Sequence, residues 1–255
     1  IIALSQEQET LDPQKTVGGA VTQFMGASLV AEDPETGELV PYLAENWMSA
    51  EDGMYWDFKL REDVVFHNGT SMTAHDFVWT IQRALDPETM SPMGAILQGV
   101  AGAEVIDVYT LRVNMSMPNF SFISNVSKSA FLQPLPQTYL EEVGDDVFAR
   151  NPIGVGPFIF KEWVTGEKIV LERNPNFNWG PAFSHGGAPF IETIEFRVFP
   201  EYSTILAGLE AGELDYAIVE DQDIHRLVDT GAFNIFEITG QGSSEEILFN
   251  VTKPP

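Results

Sequence analysis

The chain has 255 residues, 38 of them acidic and 13 basic, so its formal net charge is −25 at pH 7. Hydrophobic residues make up 44% of the sequence, which excludes a disordered acidic tail because a core of useful size can be buried. The negative charge repels phosphate backbones and anionic membranes, so we expect no nucleic-acid partner. The chain has no cysteine, which excludes disulfides, thiol catalysis and zinc–thiolate sites.

The first quarter of the chain predicts short extended pieces separated by turns. Residues 1–13 predict a strand followed by a polar turn. Apolar residues over 21–29 recur at helical spacing, and residues 33–37 predict a turn between two extended pieces. Residues 43–47 predict a short helix or turn.

The next segment carries the strongest local signals. Apolar and polar residues alternate over 55–60, which is typical of a half-buried strand. Asn68-Gly69 is a strong turn dipeptide. Thr73 is a good N-cap, and Asp76 three positions later completes a weak capping box, so we expect a helix over 74–85.

Two turn-rich positions divide the chain. Residues 103–114 predict two strands joined by a turn, and a helix is expected soon after Pro118. Residues 151–157 read NPIGVGP and predict a crossover or domain junction. Beyond it, segments typical of strands and helices alternate, so the pattern is mixed α/β with breaks near residues 42 and 152.

The sequence lacks the strong signatures of catalysis or metal binding. No GxSxG, GxxxxGK[ST] or GxGxxG string stands in its required context. The four histidines are scattered, and none are spaced as in a zinc-binding helix, so we expect surface or turn histidines, no metal and no cofactor. They are His67, His75, His185 and His225.

Adjacent carboxylates leave one enzymatic alternative open. Pairs stand at Glu141-Glu142, Asp145-Asp146 and Glu245-Glu246, and two such groups are what a secreted acidic hydrolase needs. In a chain this acidic, pairs also arise by chance. The hydrolase therefore stays an alternative to a chain that is not an enzyme.

Residues 60–87, LREDVVFHNGTSMTAHDFVWTIQRALDP, resemble the signature segment of the family 5 extracellular solute-binding proteins. That family comprises the oligopeptide-, dipeptide- and nickel-binding components of bacterial ABC importers. Other blocks follow in the family's order: LDP at 11–13, LAENW at 43–47, PIGVGPF at 152–158, ERNPNFNW at 172–179, AGELDYAI at 211–218 and FNVTKPP at 249–255. Val155 and Phe177 are mild departures from the family's threonine and tyrosine.

The resemblance implies a fold of the periplasmic-binding-protein type (type II, cluster C). It implies an α/β first lobe whose mixed-sheet core is interrupted by an inserted α+β subdomain. Residues 1–42 and 154–255 would form the core of lobe I, and residues 43–153 the insertion, with its two connections adjacent in space. Family members are about twice as long, so lobe II is expected to be absent after residue 255.

The resemblance also implies a function and a site. In peptide-binding relatives the ligand lies extended between the lobes and pairs its main chain with protein backbone, a form of strand addition. Glycines and other small residues allow that approach, and Phe131 offers an apolar wall. The candidate ligand-binding residues are Val17, Gly18, Gly19, Ala20, Phe131, Gln241, Gly242 and Ser243. We expect the glycine loops to be solvent-exposed and this chain alone to bind no peptide at micromolar concentration.

The expected protein is a monomeric, non-catalytic subunit that captures oligo- or dipeptides and delivers them to ABC permease subunits in the membrane. It would act outside the cytoplasm, in the periplasm or as a cell-surface lipoprotein, with the signal peptide not in this chain. A nickel complex, a sugar or haem on the same scaffold is the nearest alternative. A scaffold or receptor-interaction module is a third class.

Overall fold

The computed structural model describes residues 1–16, 19–95, 97–127 and 132–234. The strands within these residues are β1 (Ile2–Leu4), β2 (Val30–Glu32), β3 (Leu39–Pro41), β4 (Ala44–Ser49), β5 (Tyr55–Leu60), β6 (Val100–Asp107), β7 (Thr110–Met115), β8 (Phe158–Val164), β9 (Lys168–Arg173) and β10 (Thr193–Val198). The α-helices are α1 (Ala74–Leu85), α2 (Phe122–Ser127), α3 (Gln137–Val143), α4 (Asp145–Phe148), α5 (Tyr202–Glu210) and α6 (Asp221–Asp229). Short 3-10 turns cover Thr22–Phe24, Pro87–Thr89 and Pro92–Ala95.

The contacts divide the chain into two compact units, Ile1–Tyr216 and Ala217–Pro255. The second unit contains helix α6. Acidic Asp221 and Asp223 stand in its first turn and Arg226 in its last turn, which is the arrangement that the helix dipole favours.

The first unit contains two four-stranded sheets, of which the first is mixed. Its order is β1-β10-β9-β8, with β1 parallel to β10 and the other pairs antiparallel. One apolar cluster covers it. The buried members of this cluster are Leu4, Leu11, Val21, Met25, Phe158, Ile169, Leu171, Ile194 and Phe196.

The second sheet is antiparallel, in the order β4-β5-β7-β6. Along β5 the side chains of Trp56, Phe58 and Leu60 are buried while the intervening ones are half-exposed, which confirms the predicted half-buried strand. Helix α1 packs against β6 and β7 and begins and ends where it was predicted. Its fully buried side chains include Phe77 and Ile81, which belong to the core of this sheet.

Two local predictions are wrong because tertiary contacts outweigh the local pattern. Residues 43–47 were expected to form a short helix or turn, but Ala44–Ser49 is strand β4, because pairing with β5 outweighs the helix propensity of its alanine and glutamate. The helical spacing over 21–29 yields only the 3-10 turn Thr22–Phe24. Val21 and Met25 of that stretch join the core of the first sheet, while Leu29 joins the core of the second.

The segment 25–28 contributes side chains to both cores, and a two-stranded pair follows it in the chain. Strands β2 and β3 pair as the predicted turn required, with Gly37 at φ +72°. Leu43 donates to the Ser28 carbonyl at 3.2 Å, and the Met25 carbonyl accepts from Gly156 at 2.7 Å. Both predicted connections therefore contact the segment 25–28. The boundaries of the core and the inserted subdomain stay a prediction.

Candidate functional site

The first candidate loop is residues 16–20, of which the structure describes Thr16, Gly19 and Ala20. Gly19 is buried, and its carbonyl accepts hydrogen bonds from the Gln23 amide at 3.1 Å and the Thr22 hydroxyl at 3.3 Å. A Cβ at Gly19 would lie 1.9 Å from Thr22 Oγ1. The expectation that Gly19 is solvent-exposed is therefore wrong, because the following turn folds the Thr22 side chain over it. Ala20 is half-buried and packs against the core of the first sheet.

The other candidate ligand-binding residues lie outside the residues that the structure describes, so their assignment stays a prediction. They are Val17, Gly18, Phe131, Gln241, Gly242 and Ser243.

A buried polar network holds the segment that leads into the first loop. Asp12 and Gln14 are wholly inaccessible to solvent. The Arg83 guanidinium of α1 donates to Asp12 Oδ2 at 2.6 Å and to Gln14 Oε1 at 2.8 Å. Gln14 in turn donates to the Thr80 carbonyl at 2.7 Å. The segment is thus bonded to two successive turns of helix α1.

Helix α4 completes this arrangement, which we call the Arg83 network (Asp12, Gln14, Arg83 and Asp145). Arg83 also donates to Asp145 Oδ1 at 3.0 Å, and Lys15 forms an ion pair with the same carboxylate. Sequence reasoning missed this network. The only signal in the sequence was Asp12, an acidic residue between Leu11 and Pro13. Without knowledge of its partner Arg83, that position is typical of an exposed turn.

The Arg83 network stabilises the charged form of Asp145, one member of a candidate carboxylate pair. Partial burial works to raise the pKa of Asp145, but the hydrogen bonds from Lys15 and Arg83 outweigh it and leave that pKa below its ordinary value. A general acid needs a raised pKa. Asp145 is therefore placed as an ion-pair partner and is poorly suited to proton donation.

Among the described residues, a small cavity lies beside the turn that follows the candidate loop. The cavity there has a volume of about 10 Å³, which is space for a single water molecule. It is lined by Leu11, Thr22, Met25 and Gly154 among others. A larger open cleft of about 470 Å³ runs along the outer side of α1, between Trp79, Arg83, Glu88 and Leu140.

The segment 151–157, predicted to be a crossover or domain junction, contacts two other blocks that carry the family resemblance. Gly154 and Gly156 press against Met25, so that a Cβ on them would lie 2.0 Å from its carbonyl oxygen and 2.4 Å from its carbonyl carbon, respectively. Trp179 donates to the Val155 carbonyl at 3.0 Å, and Asn174 donates to the Gly156 carbonyl at 3.2 Å. These signature residues therefore build the fold around the crossover.

The imidazole ring of His67 also bonds to the segment 151–157. Its Nδ1 accepts from the Gly154 amide at 3.2 Å, so Nε2 carries the proton and donates to the Gly156 carbonyl at 3.1 Å. Desolvation lowers the pKa of His67 to about 4, although the Gly156 carbonyl works in the opposite direction. The residue lies in a turn as expected, but it is half-buried and neutral, with both ring nitrogens bonded.

The mixed sheet, at whose edge β1 pairs in parallel with the late strand β10, and the antiparallel sheet are those of a type II periplasmic binding protein. Residues 38–255 match the family described as bacterial extracellular solute-binding proteins, family 5 Middle. The chain belongs to this family, as the resemblance predicted.

Known relatives are similar to this chain over about half of their own length. The periplasmic oligopeptide-binding protein OppA of Haemophilus influenzae is 31% identical over 236 residues, which cover 84% of this chain and 42% of that protein. The crystal structure of Haemophilus influenzae OppA in complex with RPPGFSPFR is 29% identical to this chain, with a TM-score of 0.79. The match covers 91% of this chain and 48% of that chain. The structure of MoaA of Agrobacterium tumefaciens R10 in complex with mannopinic acid is 25% identical to this chain, with a TM-score of 0.80. The match covers 90% of this chain and 47% of that chain. The chain spans less than half the length of these relatives.

Among the described residues, no helix combines the length and the apolar character that crossing a membrane requires.

Proposed function

We propose that this chain forms the first lobe of an extracytoplasmic solute-binding protein that captures peptides and delivers them to the permease of an ABC importer. The observation that carries the proposal is the similarity to Haemophilus influenzae OppA, at 31% sequence identity and with a TM-score of 0.79 to the complex with RPPGFSPFR. On this proposal a second lobe faces the first candidate loop, and closure of the two lobes on the peptide removes it from water.

The mode of recognition that this chain supports is through backbone groups. The side chains of Gly18, Gly19 and Ala20 are too small to fill a specificity pocket, so the loop would pair with a peptide through main-chain groups. The Gly19 carbonyl is not one of these groups, because Thr22 and Gln23 already donate to it. A protein that binds main chain in this way accepts many peptide sequences. The protein is proposed to act as a monomer, in the periplasm or anchored to the cell surface by lipid.

A second ligand class has its own support. MoaA in complex with mannopinic acid has the same fold, with a TM-score of 0.80 to this chain, so the scaffold accommodates a ligand other than a peptide. A small solute of that kind is the alternative occupant. It would be held by side-chain hydrogen bonds more than by a row of backbone pairs.

The test is mass spectrometry of the ligands that the full-length protein retains when purified without refolding. We expect a mixture of peptides with varied sequences, and calorimetry with the same synthetic peptides should give micromolar or tighter binding. Gly18→Val, within the candidate loop, should weaken that binding about tenfold or more. Gly187→Ala is the matched control, because a Cβ there meets only His185 at an ordinary 3.7 Å. A single non-peptide solute would favour the alternative class, and turnover of bound peptide would overturn the non-catalytic role.

A further inference from the structure

Arg150 differs from the other cationic side chains that the structure describes. Of the 13 Lys and Arg residues, Lys128 and Lys253 lie outside the described residues. Among the described ones, every Lys and Arg side chain except Arg150 forms an ion pair with a carboxylate. In a chain with 38 acidic residues, an exposed guanidinium without such a partner calls for an explanation.

The Arg150 guanidinium stacks on the indole of Trp163. Its central carbon lies 3.7 Å from the centroid of that ring, which is the arrangement of a cation–π contact. Trp163 is itself fixed, because it packs against the core of the first sheet and its Nε1 donates to Glu7 Oε1 at 3.0 Å. The Gly166 amide donates to the same oxygen at 2.9 Å. Stacking uses only the face of the guanidinium, so the N–H groups along its edge stay available to an acceptor.

This stack lies at the carboxyl ends of the parallel strands β1 and β10. Trp163 stands next to the end of β8, and Glu7 lies in the loop that leaves the carboxyl end of β1. The turn between β8 and β9 is at the same end, because the Val198 amide at the end of β10 donates to the Glu167 carbonyl at 3.1 Å. In α/β sheets, ligands bind outside the carboxyl ends of the strands. Arg150 is therefore at the end of the first sheet where a ligand is expected.

The ligand group that fits this position is a carboxylate. A guanidinium edge presents parallel N–H groups that match the two oxygens of a carboxylate. The hydrogen bond from Gly166, together with that from Trp163, lowers the pKa of Glu7, so a negative charge is already present beside the stack. That charge and the net charge of −25 disfavour anions with several charges, such as phosphate. A peptide offers single carboxylates at its C-terminus and on acidic side chains.

We propose that Arg150 binds a carboxylate of the captured solute, with the indole of Trp163 holding the guanidinium in place. The identity of the solute as a peptide rests on the proposed function, whereas the binding of a carboxylate at Arg150 does not.

The first experiment is calorimetry on the full-length protein with a retained peptide that contains one acidic side chain. The peptide is prepared in three forms: unmodified, with a C-terminal amide, and with the acidic side chain replaced by its amide. Wild type is compared with Arg150→Gln. Lys161→Gln is the matched control, because Lys161 is exposed on the same strand as Trp163 but pairs with Glu172 at 3.2 Å.

We expect Arg150→Gln to weaken binding of the unmodified peptide about tenfold and Lys161→Gln to leave it near wild type. Removing the carboxylate that Arg150 contacts should weaken wild-type binding by a similar factor and leave binding to Arg150→Gln unchanged. The form that shows this pattern identifies the carboxylate as the C-terminal one or the side-chain one.

The second experiment does not depend on peptide binding. Sodium acetate is added to the ligand-free chain, with sodium chloride at equal ionic strength as the reference, and the indole N–H resonance of Trp163 is followed by NMR. We expect a saturable shift in the millimolar range in wild type and none in Arg150→Gln, since a single exposed ion pair is weak.

Equal affinities of wild type and Arg150→Gln for all three peptide forms would overturn the proposal, as would an acetate shift that persists in Arg150→Gln. A wild-type protein that binds no peptide would contradict the proposed function instead. The acetate titration then decides alone whether Arg150 binds a carboxylate.

Discussion

Gly156 is a glycine because the backbone of Met25 occupies the space that a side chain would need. A Cβ there would lie 2.4 Å from the Met25 carbonyl carbon and 2.6 Å from the Gly26 nitrogen, and backbone cannot move aside as a flexible side chain can. We predict that Gly156→Ala lowers the free energy of unfolding by about 3 kcal/mol or more. Urea unfolding measures this. Gly94→Ala is the control, since a Cβ at Gly94 meets nothing within 4 Å, and a loss below about 1 kcal/mol in Gly156→Ala would contradict the packing.

His67 makes stability depend on pH. Its folded pKa of about 4 lies below the ordinary 6.5, so the folded state prefers the neutral ring. The contribution is complete above pH 6.5 and is lost as the pH falls from 6.5 to 4, because the unfolded state then binds the proton first. It amounts to about 3 kcal/mol at most.

The measurement is urea unfolding between pH 4 and 7.5 for wild type and His67→Gln. Wild type should lose stability faster than the variant over the range from 6.5 to 4. Other groups, such as Asp76, titrate in both proteins and cancel in the difference. Parallel curves would show that the ring is not held neutral.

Single residues were predictable from sequence where their partners are local. Thr73 and Asp76 stand three positions apart, and Asn68-Gly69 closes its own turn, with Gly69 at φ +86°. His67 and Asp12 were not predictable, because their partners stand 89 and 71 positions away in the chain. Gly19 was expected to be exposed because it would face the second lobe, but the Thr22 side chain covers it.

Helix α1 offers a test at the scale of an element. The Asp76 carboxylate accepts from both the amide and the hydroxyl of Thr73 at 2.9 Å, which caps the first turn. We predict that Thr73→Ala costs about 1 kcal/mol of unfolding free energy and that Asp76→Ala costs more, since it leaves the Thr73 amide without its acceptor. Chemical denaturation checks both values. His75→Ala, at an exposed position in the same turn, should change stability by less than about 0.5 kcal/mol, and equal losses in all three would argue against the cap.

A helix or strand was predictable where the spacing of its own apolar residues was enough to specify it. The alternation in β5 and the amphipathic spacing of α1 arise within one segment, so both were predicted with correct bounds. Strand β4 was not, because its alanine and glutamate favour a helix until β5 is present to pair with it. The candidate site rests on the family resemblance alone and stays a prediction, since backbone recognition leaves no characteristic side chain in the sequence.

The charge of the whole molecule predicts a response to salt. With a net charge of −25, self-repulsion destabilises the folded chain at low ionic strength. The melting temperature should rise by several degrees between dilute buffer and about 0.5 M sodium chloride, where the Debye length is about 4 Å. A variant with Glu35→Gln, Glu142→Gln and Glu213→Gln, three exposed positions, should show a weaker rise. A flat or falling melting temperature would mean that the charges are already well dispersed.

The parallel pairing of β1 with β10 has a consequence for the order in which the molecule folds. Ile2 lies opposite Phe196, so β1 has no β10 to pair with until most of the first unit has been synthesised. The second sheet draws all its strands from residues 44–115 and meets no such delay. Because closing a long loop slows folding, the amides of β5 and β7 should become protected in pulse-labelled refolding before those of β1 and β10. Formation of the first sheet is then the slow step of folding. Until β1 pairs with β10, the unpaired edge of β10 is exposed to aggregation.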